Sequence, residues 1–391
     1  MPDVASLVEA TRAFITSEVL PIDDEYDGDV EAAGGEELRR RLQARARLLG
    51  LLSPQGPVDC GGLGLTMCQR APVLEEAGYS LFGPMAMNVN APDEGNIHLL
   101  DHVASDAQRR KYLRPLVAGE WRSAFAMTEP APGAGSDPAA LTTRAEKVDG
   151  GFAVNGRKHF ITGADGADLF IIMARTSGEP GDARGATMLL ANAAAPGIEI
   201  VRHIGTMDRS MVGGHCEVRF TNLFVPDADV LGAVDEGFRY AQVRLGPARL
   251  THVMRWLGAA RRAHEVAVAH AVGRRVFGSR LADLGMAQLL IADNEIDLAA
   301  TRALLMVACA ELDSAERASK STSIAKTFAA EALGRVADRA MQLCGGLGVS
   351  AELPVAKVAR ELRPFRVYDG PSEVHRASIS KRAVRQIVGG P

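Results

Sequence analysis

The sequence predicts an α+β chain: an N-terminal helical domain, a middle β-barrel or sandwich domain and a C-terminal helix bundle. Three observations carry this. Apolar residues recur at helical spacing up to about Ser123, short turn-bounded runs follow to about Val225, and helical spacing returns from Gly237. No alternating βαβ pattern and no G-x-G-x-x-G occurs, so a Rossmann domain is not supported. The 391 residues, 47% of them hydrophobic, suffice for two or three domains with large cores. The divisions are expected at residues 1–122, 123–234 and 235–391.

In the first domain, Leu7, Ala10, Phe14 and Val19 mark a helix that Pro21 stops. Leu38, Leu42 and Leu49 mark a second, from about Glu36 to Leu52. The cluster Gly61-Gly62-Leu63-Gly64-Leu65 punctuates the chain before a helix over Met67–Ala77. Ser105 reads as the N-cap of a helix through Leu113. The middle domain is expected as strands at Ser123–Met127, Leu141–Lys147, Phe152–Val154, Lys158–Ile161, Leu169–Arg175, Ala186–Ala191, Ile198–His203 and His215–Val225. Asp149-Gly150-Gly151 is a hairpin signal between two of them. Helices of about Gly237–Val276, Leu284–Leu312, Ser319–Leu343 and Ser372–Val388 have lengths that suit a bundle.

Composition narrows the function. Net charge is −4 with acids and bases mixed, so neither nucleic acid nor a membrane surface is an expected partner. The five cysteines (Cys60, Cys68, Cys216, Cys309, Cys344) form no C-x-x-C pair, which fits free thiols in a reducing compartment. No Cys/His cluster has zinc spacing, so no metal is expected. Met1 to Leu20 lacks the apolar core of a secretory signal, and no apolar run reaches the ~18 residues of a spanning helix, so a cytoplasmic location is expected.

Five segments carry candidate chemistry. Ala126-Met127-Thr128-Glu129-Pro130-Ala131-Pro132-Gly133-Ala134-Gly135-Ser136-Asp137 is either a surface loop or a small-residue loop whose N–H groups approach an anion, with Thr128 and Ser136 adding hydroxyls. Lys158-His159-Phe160-Ile161-Thr162-Gly163 places an aromatic and a hydroxyl at a strand end, either as core or against a planar ring. Arg274-Arg275-Val276-Phe277-Gly278 suits phosphate contact with stacking, or a solvated basic helix end. Gln342-Leu343-Cys344-Gly345-Gly346-Leu347-Gly348 is a helix C-cap or a close backbone approach to a ligand. Arg366-Val367-Tyr368-Asp369-Gly370-Pro371-Ser372-Glu373-Val374-His375 is a turn with Ser372 as N-cap, or a carboxylate held out of a helix and facing a cleft.

Taken together and in order, these segments resemble the acyl-CoA dehydrogenase family, over nearly the whole chain from about Leu7 to Val388. Gly83-Pro84-Met85 through Asn88, Ala91-Pro92-Asp93, Gly95-Asn96 and Arg244-Leu245-Gly246-Pro247-Ala248-Arg249, with Asp369-Gly370-Pro371, are similar to the branch of mammalian family members ten and eleven and bacterial relatives. The resemblance implies an FAD enzyme of fatty acid metabolism, of the β-oxidation type, that dehydrogenates an acyl-CoA thioester between its α and β carbons. It implies that Met127, Thr128, Phe160 and Thr162 flank the flavin ring, with Thr162 near N5 and Phe160 where relatives usually carry tryptophan. Gly135 and Ser136 are implied at the FAD pyrophosphate, with Ser136 also touching CoA and two extra residues between Thr128 and Ser136. Arg274, Phe277, Gln342 and Gly346 are implied to reach FAD from a neighbouring subunit, so the site depends on a homodimer or homotetramer; Gly285 stands where relatives carry a further glutamine contact. Arg249 and Gly370 are implied substrate contacts, and an electron-transferring flavoprotein is the implied acceptor.

Asp369 aligns with the family's usual catalytic glutamate, and the alternative location is Ala248 here, which leaves Asp369 as the matched α-proton base, with the β hydride leaving for flavin N5. Aspartate is one methylene shorter, so its turn must lie closer to the substrate. A base also needs a pKa raised toward its working pH, which a closed apolar pocket provides. The resemblance places the flavin ribityl chain and the base segment's own N–H on the thioester carbonyl, an oxyanion hole in effect. An oxidase passing electrons to O₂, a hydroxylated acyl-CoA as substrate, and a flavin-binding relative without activity remain the alternative readings.

Overall fold

The computed structural model describes residues 3–314 and 318–388. The first helices are α1 (Val4–Phe14), α2 (Leu20–Glu25), α3 (Gly35–Leu48), α4 (Met67–Ala77), α5 (Gly83–Ala86), α6 (Asp93–Val103), α7 (Asp106–Gln108) and α8 (Arg114–Val117). Asp3 caps α1 by accepting from the Ala5 and Ser6 N–H groups. Pro21 does not stop this helix as expected. A π turn over Ile15–Val19 intervenes, so Pro21 falls in the first turn of α2, where a missing N–H costs nothing. Thr66 with Gln69 and Ser105 with Gln108 form capping boxes on α4 and α7.

The strands are β1 (Ser123–Ala126), β2 (Arg144–Val148), β3 (Gly151–Thr162), β4 (Leu169–Arg175), β5 (Ala186–Asn192), β6 (Ile198–His203), β7 (His215–Pro226) and β8 (Val230–Leu231). They form one sheet in the order β6-β7-β3-β2-β4-β5-β8, with β1 parallel to β4. A single residue pair, Arg144 with Arg175, joins β2 to β4, so the sheet folds into two leaves. Between them lies a core that includes Phe152, Phe170, Ile172, Val218 and Phe220, and the Phe170 and Phe220 rings meet edge to face at 6.2 Å.

The two runs expected at Phe152–Val154 and Lys158–Ile161 are one strand, β3, bent by register shifts against β7 between Val154 and Gly156 and between Lys158 and Ile161. The second shift turns Phe160 outward, at φ +55° and 50% exposed. β8 was not anticipated, since two residues carry no readable alternation.

The last helices are α9 (Gly237–Gly273), α10 (Gly285–Asp313), α11 (Ser319–Cys344), α12 (Val355–Leu362) and α13 (Ser372–Val388); a small hairpin, β9 (Arg275–Val276) and β10 (Ser279–Arg280), follows α9. α12 was not among the expected helices. One apolar core joins α1, α3 and α4 to α9, α11 and α12, through Leu74, Val253, Leu257, Leu333 and Phe365. Two glycines set the approach of α4 to α9: a Cβ on Gly78 would lie 2.0 Å from the Arg255 carbonyl oxygen, and one on Gly258 would lie 2.0 Å from the Glu75 carbonyl oxygen. All five cysteines are free. Among the described residues no helix is long and apolar enough to cross a membrane, and no three His, Cys, Asp or Glu side chains cluster as metal ligands.

Candidate active site

Asp369 and Gly370 form the turn between α12 and α13. Both have left-handed backbones, at φ +53° and +93°. For an aspartate this costs about 1–3 kcal/mol, so its surroundings must enforce it. Three side chains do so. Arg249 Nε donates to the Asp369 carbonyl at 2.9 Å, His375 Nε2 donates to the same oxygen at 3.1 Å, and Lys326 Nζ donates to the Gly370 carbonyl at 2.7 Å. A Cβ on Gly370 would meet His375 Nε2 at 2.8 Å. Burial, then Arg249 and Lys326, push His375 down to about 4, so it is neutral and Nε2 carries its proton. Among the described residues, neither the Asp369 nor the Gly370 N–H donates a hydrogen bond to the protein. Arg249, implied on substrate, is thus tied to the backbone of this turn.

The Asp369 side chain is 17% exposed, and its Oδ2 lies 3.3 Å from His252 Nε2 without an aligned hydrogen bond. Burial alone would raise its pKa. The His252 N–H and the cations Arg244 and Arg249 outweigh burial and hold it well below the usual carboxylate range. The expected raised pKa belongs to a pocket closed by substrate; in the protein alone His252 and the cations dominate.

Behind Asp369 lies a chain of buried polar groups. His252 Nδ1 accepts from Arg255 Nη2 at 2.8 Å, and Arg255 Nη1 donates to the Val89 carbonyl. The Glu94 carboxylate stands 4.0 Å from Arg255 and accepts from Thr251 Oγ1 at 2.8 Å. Trp256 Nε1 donates to Tyr368 Oη at 2.5 Å. Arg244 donates to Asn96 Oδ1 at 2.7 Å and lies 4.1 Å over the Phe125 ring. Asp93 accepts from both the N–H and the Oγ of Ser123, at 2.6 Å each, which ties β1 to this network.

A narrow cleft of about 30 Å³ opens beside these groups; Met85, Asn90, Ala91, Ser210, Met211 and His252 are among its walls. Its Ser210–Met211 wall is fastened to α12, because Glu361 accepts from the Arg209 N–H at 2.7 Å and from Ser210 Oγ at 2.7 Å.

The strand-end residues are brought together. His159 N–H donates to the Thr128 carbonyl at 2.8 Å, which places Met127–Thr128 beside Phe160–Thr162. Beneath them Lys158 and Glu129 form an ion pair at 2.9 Å with both side chains 0% exposed. Lys158 also donates to the Met127 carbonyl at 3.1 Å. Glu129 accepts from the N–H groups of Ala134, Thr142 and Thr143 at 3.2, 2.7 and 2.8 Å, so the loop wraps around its carboxylate. The loop's outer edge, Gly135–Ser136, is exposed, and a Cβ on Gly135 would meet nothing within 4 Å. Thr162 Oγ1 lies 2.9 Å from His215 Nδ1, and His215 Nε2 lies 2.7 Å from Asp208 Oδ2. With the ring proton on Nε2 toward the carboxylate, Nδ1 accepts from the Thr162 hydroxyl.

These features fit the group the sequence points to. A half-exposed aromatic and the Thr162 hydroxyl edge one surface, and a small-residue loop with exposed Gly135 and Ser136 stands beside it for an anion. Arg274, Phe277, Gln342 and Gly346 lie on the exposed surface of the helical bundle, Phe277 96% exposed at φ +49° in the β9–β10 turn. Three groups escaped the sequence reading: His252, the His215–Asp208 pair, and the role of Glu129 under the loop. None has a local signal, since each partner comes from a distant element.

Three family profiles match the chain: acyl-CoA dehydrogenase N-terminal domain over residues 2–120, middle domain over 124–223 and C-terminal domain over 235–384. The chain is 36% identical to "Probable acyl-CoA dehydrogenase FadE2" of Mycobacterium tuberculosis, over 94% of this chain and 92% of that protein. It is 35% identical to mouse acyl-CoA dehydrogenase family member 11, over 81% of this chain but only 42% of that longer protein. The solved structure of butyryl-CoA dehydrogenase from Megasphaera elsdenii superposes with a TM-score of 0.89 at 26% identity, covering 98% of this chain and 99% of that one.

Proposed function

The chain belongs to the acyl-CoA dehydrogenase family and is a flavin-dependent oxidoreductase with FAD as cofactor, and on that premise we propose that Asp369 is the base that removes the α proton of a bound acyl-CoA thioester. The observation that carries the reading is the Asp369 carboxylate itself. It is half-buried next to His252, which lines the cleft, and it is fixed on a strained turn.

FAD supplies, when bound, the two-electron acceptor for the hydrogen leaving the β carbon. The protein's own groups account for the rest. Asp369 takes the α proton, and the C–H electron pair becomes the Cα–Cβ π bond. Negative charge passes from the carboxylate toward the thioester oxygen while the acid becomes neutral. Arg244, Arg249 and Lys326 surround both positions, so the net charge they face is unchanged during the transfer. The unengaged N–H groups of Asp369 and Gly370 are suited to donate to that oxygen. The low resting basicity of Asp369 keeps it ionised at any working pH, at a cost in driving force that water exclusion by the substrate offsets.

Met127, Thr128, Phe160 and Thr162 are assigned to the ring edge, and Gly135 and Ser136 to the pyrophosphate, with Ser136 also facing CoA. Arg274, Phe277, Gln342 and Gly346 serve the FAD of a second subunit, which the solvent-facing Phe277 supports. An electron-transferring flavoprotein is the proposed acceptor. The test uses purified holoenzyme under anaerobic conditions. A panel of acyl-CoAs should bleach the yellow flavin and yield enoyl-CoA, with no peroxide released when air returns. An unbleached flavin across the panel would remove the dehydrogenase reading, and stoichiometric peroxide would make it an oxidase.

A further inference from the structure

The active-site wall contains a histidine that the reaction as described leaves unused. We propose that His252 is the positioning residue of the base: its Nε2–H aims the Asp369 carboxylate by holding one oxygen, which leaves the other to receive the α proton. This rests on Asp369 being the base.

The tautomer follows from the partners. A guanidinium has donors only, so Arg255 Nη2, 2.8 Å from His252 Nδ1, makes that nitrogen the acceptor and places the ring proton on Nε2. Asp369 Oδ2 lies 3.3 Å from that nitrogen, within reach of its proton but not yet in line with it. Such contacts tighten when substrate closes a site. Arg255 has little freedom to turn away. It donates to the Val89 carbonyl, stands 4.0 Å from Glu94, and its own carbonyl is packed against Gly78. The imidazole also packs against the Phe365 and Tyr368 rings, at 5.9 and 4.8 Å between centroids.

His252 is a donor and not a proton shuttle. Burial and then the Arg255 cation hold its pKa below the ordinary histidine value. Taking a second proton would place an imidazolium against a guanidinium. The backbone of Asp369 is already fixed by Arg249, His375 and Lys326, so the side-chain torsions are the freedom left to the carboxylate. The remaining charged and titratable groups around it are Arg244, Glu94 and Tyr368, and none of them forms a hydrogen bond to its oxygens among the described residues.

The test compares two amides in the FAD-loaded enzyme. Gln at position 252 places its N–H₂ near the Nε2 position and reaches Asp369. Asn places its amide near Nδ1, keeps an acceptor for Arg255, and falls short of Asp369. Proton transfer is read by itself as the enolate absorbance of acetoacetyl-CoA against pH, and the full reaction by anaerobic bleaching. His252→Asn should slow bleaching on the order of tenfold to a hundredfold, as for a misplacement of about 1 Å. It should move the pH midpoint of enolate formation upward, since a donor to the carboxylate is lost, with KM nearly unchanged. His252→Gln should restore most of both. Equal loss in both variants, or wild-type behaviour in both, overturns the proposal while an inactive Asp369→Asn leaves the base reading standing. Bleaching retained in Asp369→Asn overturns the base reading first.

Discussion

Single residues decide whether the loop from Glu129 to Thr143 holds its shape. Glu129 holds three loop N–H groups and neutralises a buried lysine. Glu129→Gln should therefore cost about 3–5 kcal/mol, because it strands the Lys158 charge. Urea unfolding measures this, and FAD retention should fall with it. The pH dependence has a definite sign. Burial pushes the Glu129 carboxyl up, but Lys158 and the Thr142 and Thr143 donors pull it down to about 2. Its contribution is thus complete above its ordinary pKa and is lost as pH falls toward about 2. A wild-type acid transition that the Gln variant lacks would support this; identical transitions would contradict it. The residues of Asp369-Gly370-Pro371 alone suit an ordinary turn, and it was the resemblance to the acyl-CoA dehydrogenases that singled out Asp369. His252 could not be singled out, because a lone histidine inside a 37-residue helix looks like any other, and its partner lies beyond three further helices.

At the scale of elements, α9 is the rail on which Arg244, Arg249, His252 and Arg255 are mounted, and its setting depends on two backbone contacts with α4. Gly258→Ala forces a Cβ to within 2.0 Å of the Glu75 carbonyl, so α9 must shift. The expected cost is about 1–3 kcal/mol with a measurable fall in kcat, read by thermal unfolding and bleaching rate. The wall at Ser210 depends on α12 through Glu361, whose pKa burial pushes up to about 7. A raised pKa means the folded state favours the protonated form. This stabilisation is full below the ordinary glutamate value and is lost as pH rises through about 7. Wild type should therefore lose stability across that interval, and Glu361→Gln should not. Elements with strong local signals were legible to their ends: Met67–Ala77 behind its capping box, Leu169–Arg175 and Ile198–His203 between turns, and Ser372–Val388 after its proline. β3 was misread as two strands because its bulges interrupt the alternation, and Pro21 was misread because a π turn resets the helix before it.

At the scale of the whole molecule, the α-then-β-then-α order was readable because the hydrophobic period changes twice. What periodicity did not reveal is that the first and last helical segments share one core, with the site beside their junction. Phe277 is 96% exposed, and Met286, Ile296 and Val307 on α10 are 74%, 64% and 56% exposed, more apolar area than scattered surface residues require. Light scattering should find a dimer or tetramer, and Phe277→Ser should release FAD on dilution while the helical content stays unchanged. A monomer that retains FAD would contradict this assignment.

The central claim is that the turn after Tyr368 carries the proton acceptor. Asp369→Asn keeps the size and tolerates the left-handed backbone, and it replaces one carboxylate oxygen by an amide NH2 that cannot take the proton. Mixed anaerobically with an acyl-CoA that bleaches the wild type, this variant should bind FAD with an unaltered visible spectrum and remain yellow. Bleaching at the wild-type rate would contradict the account.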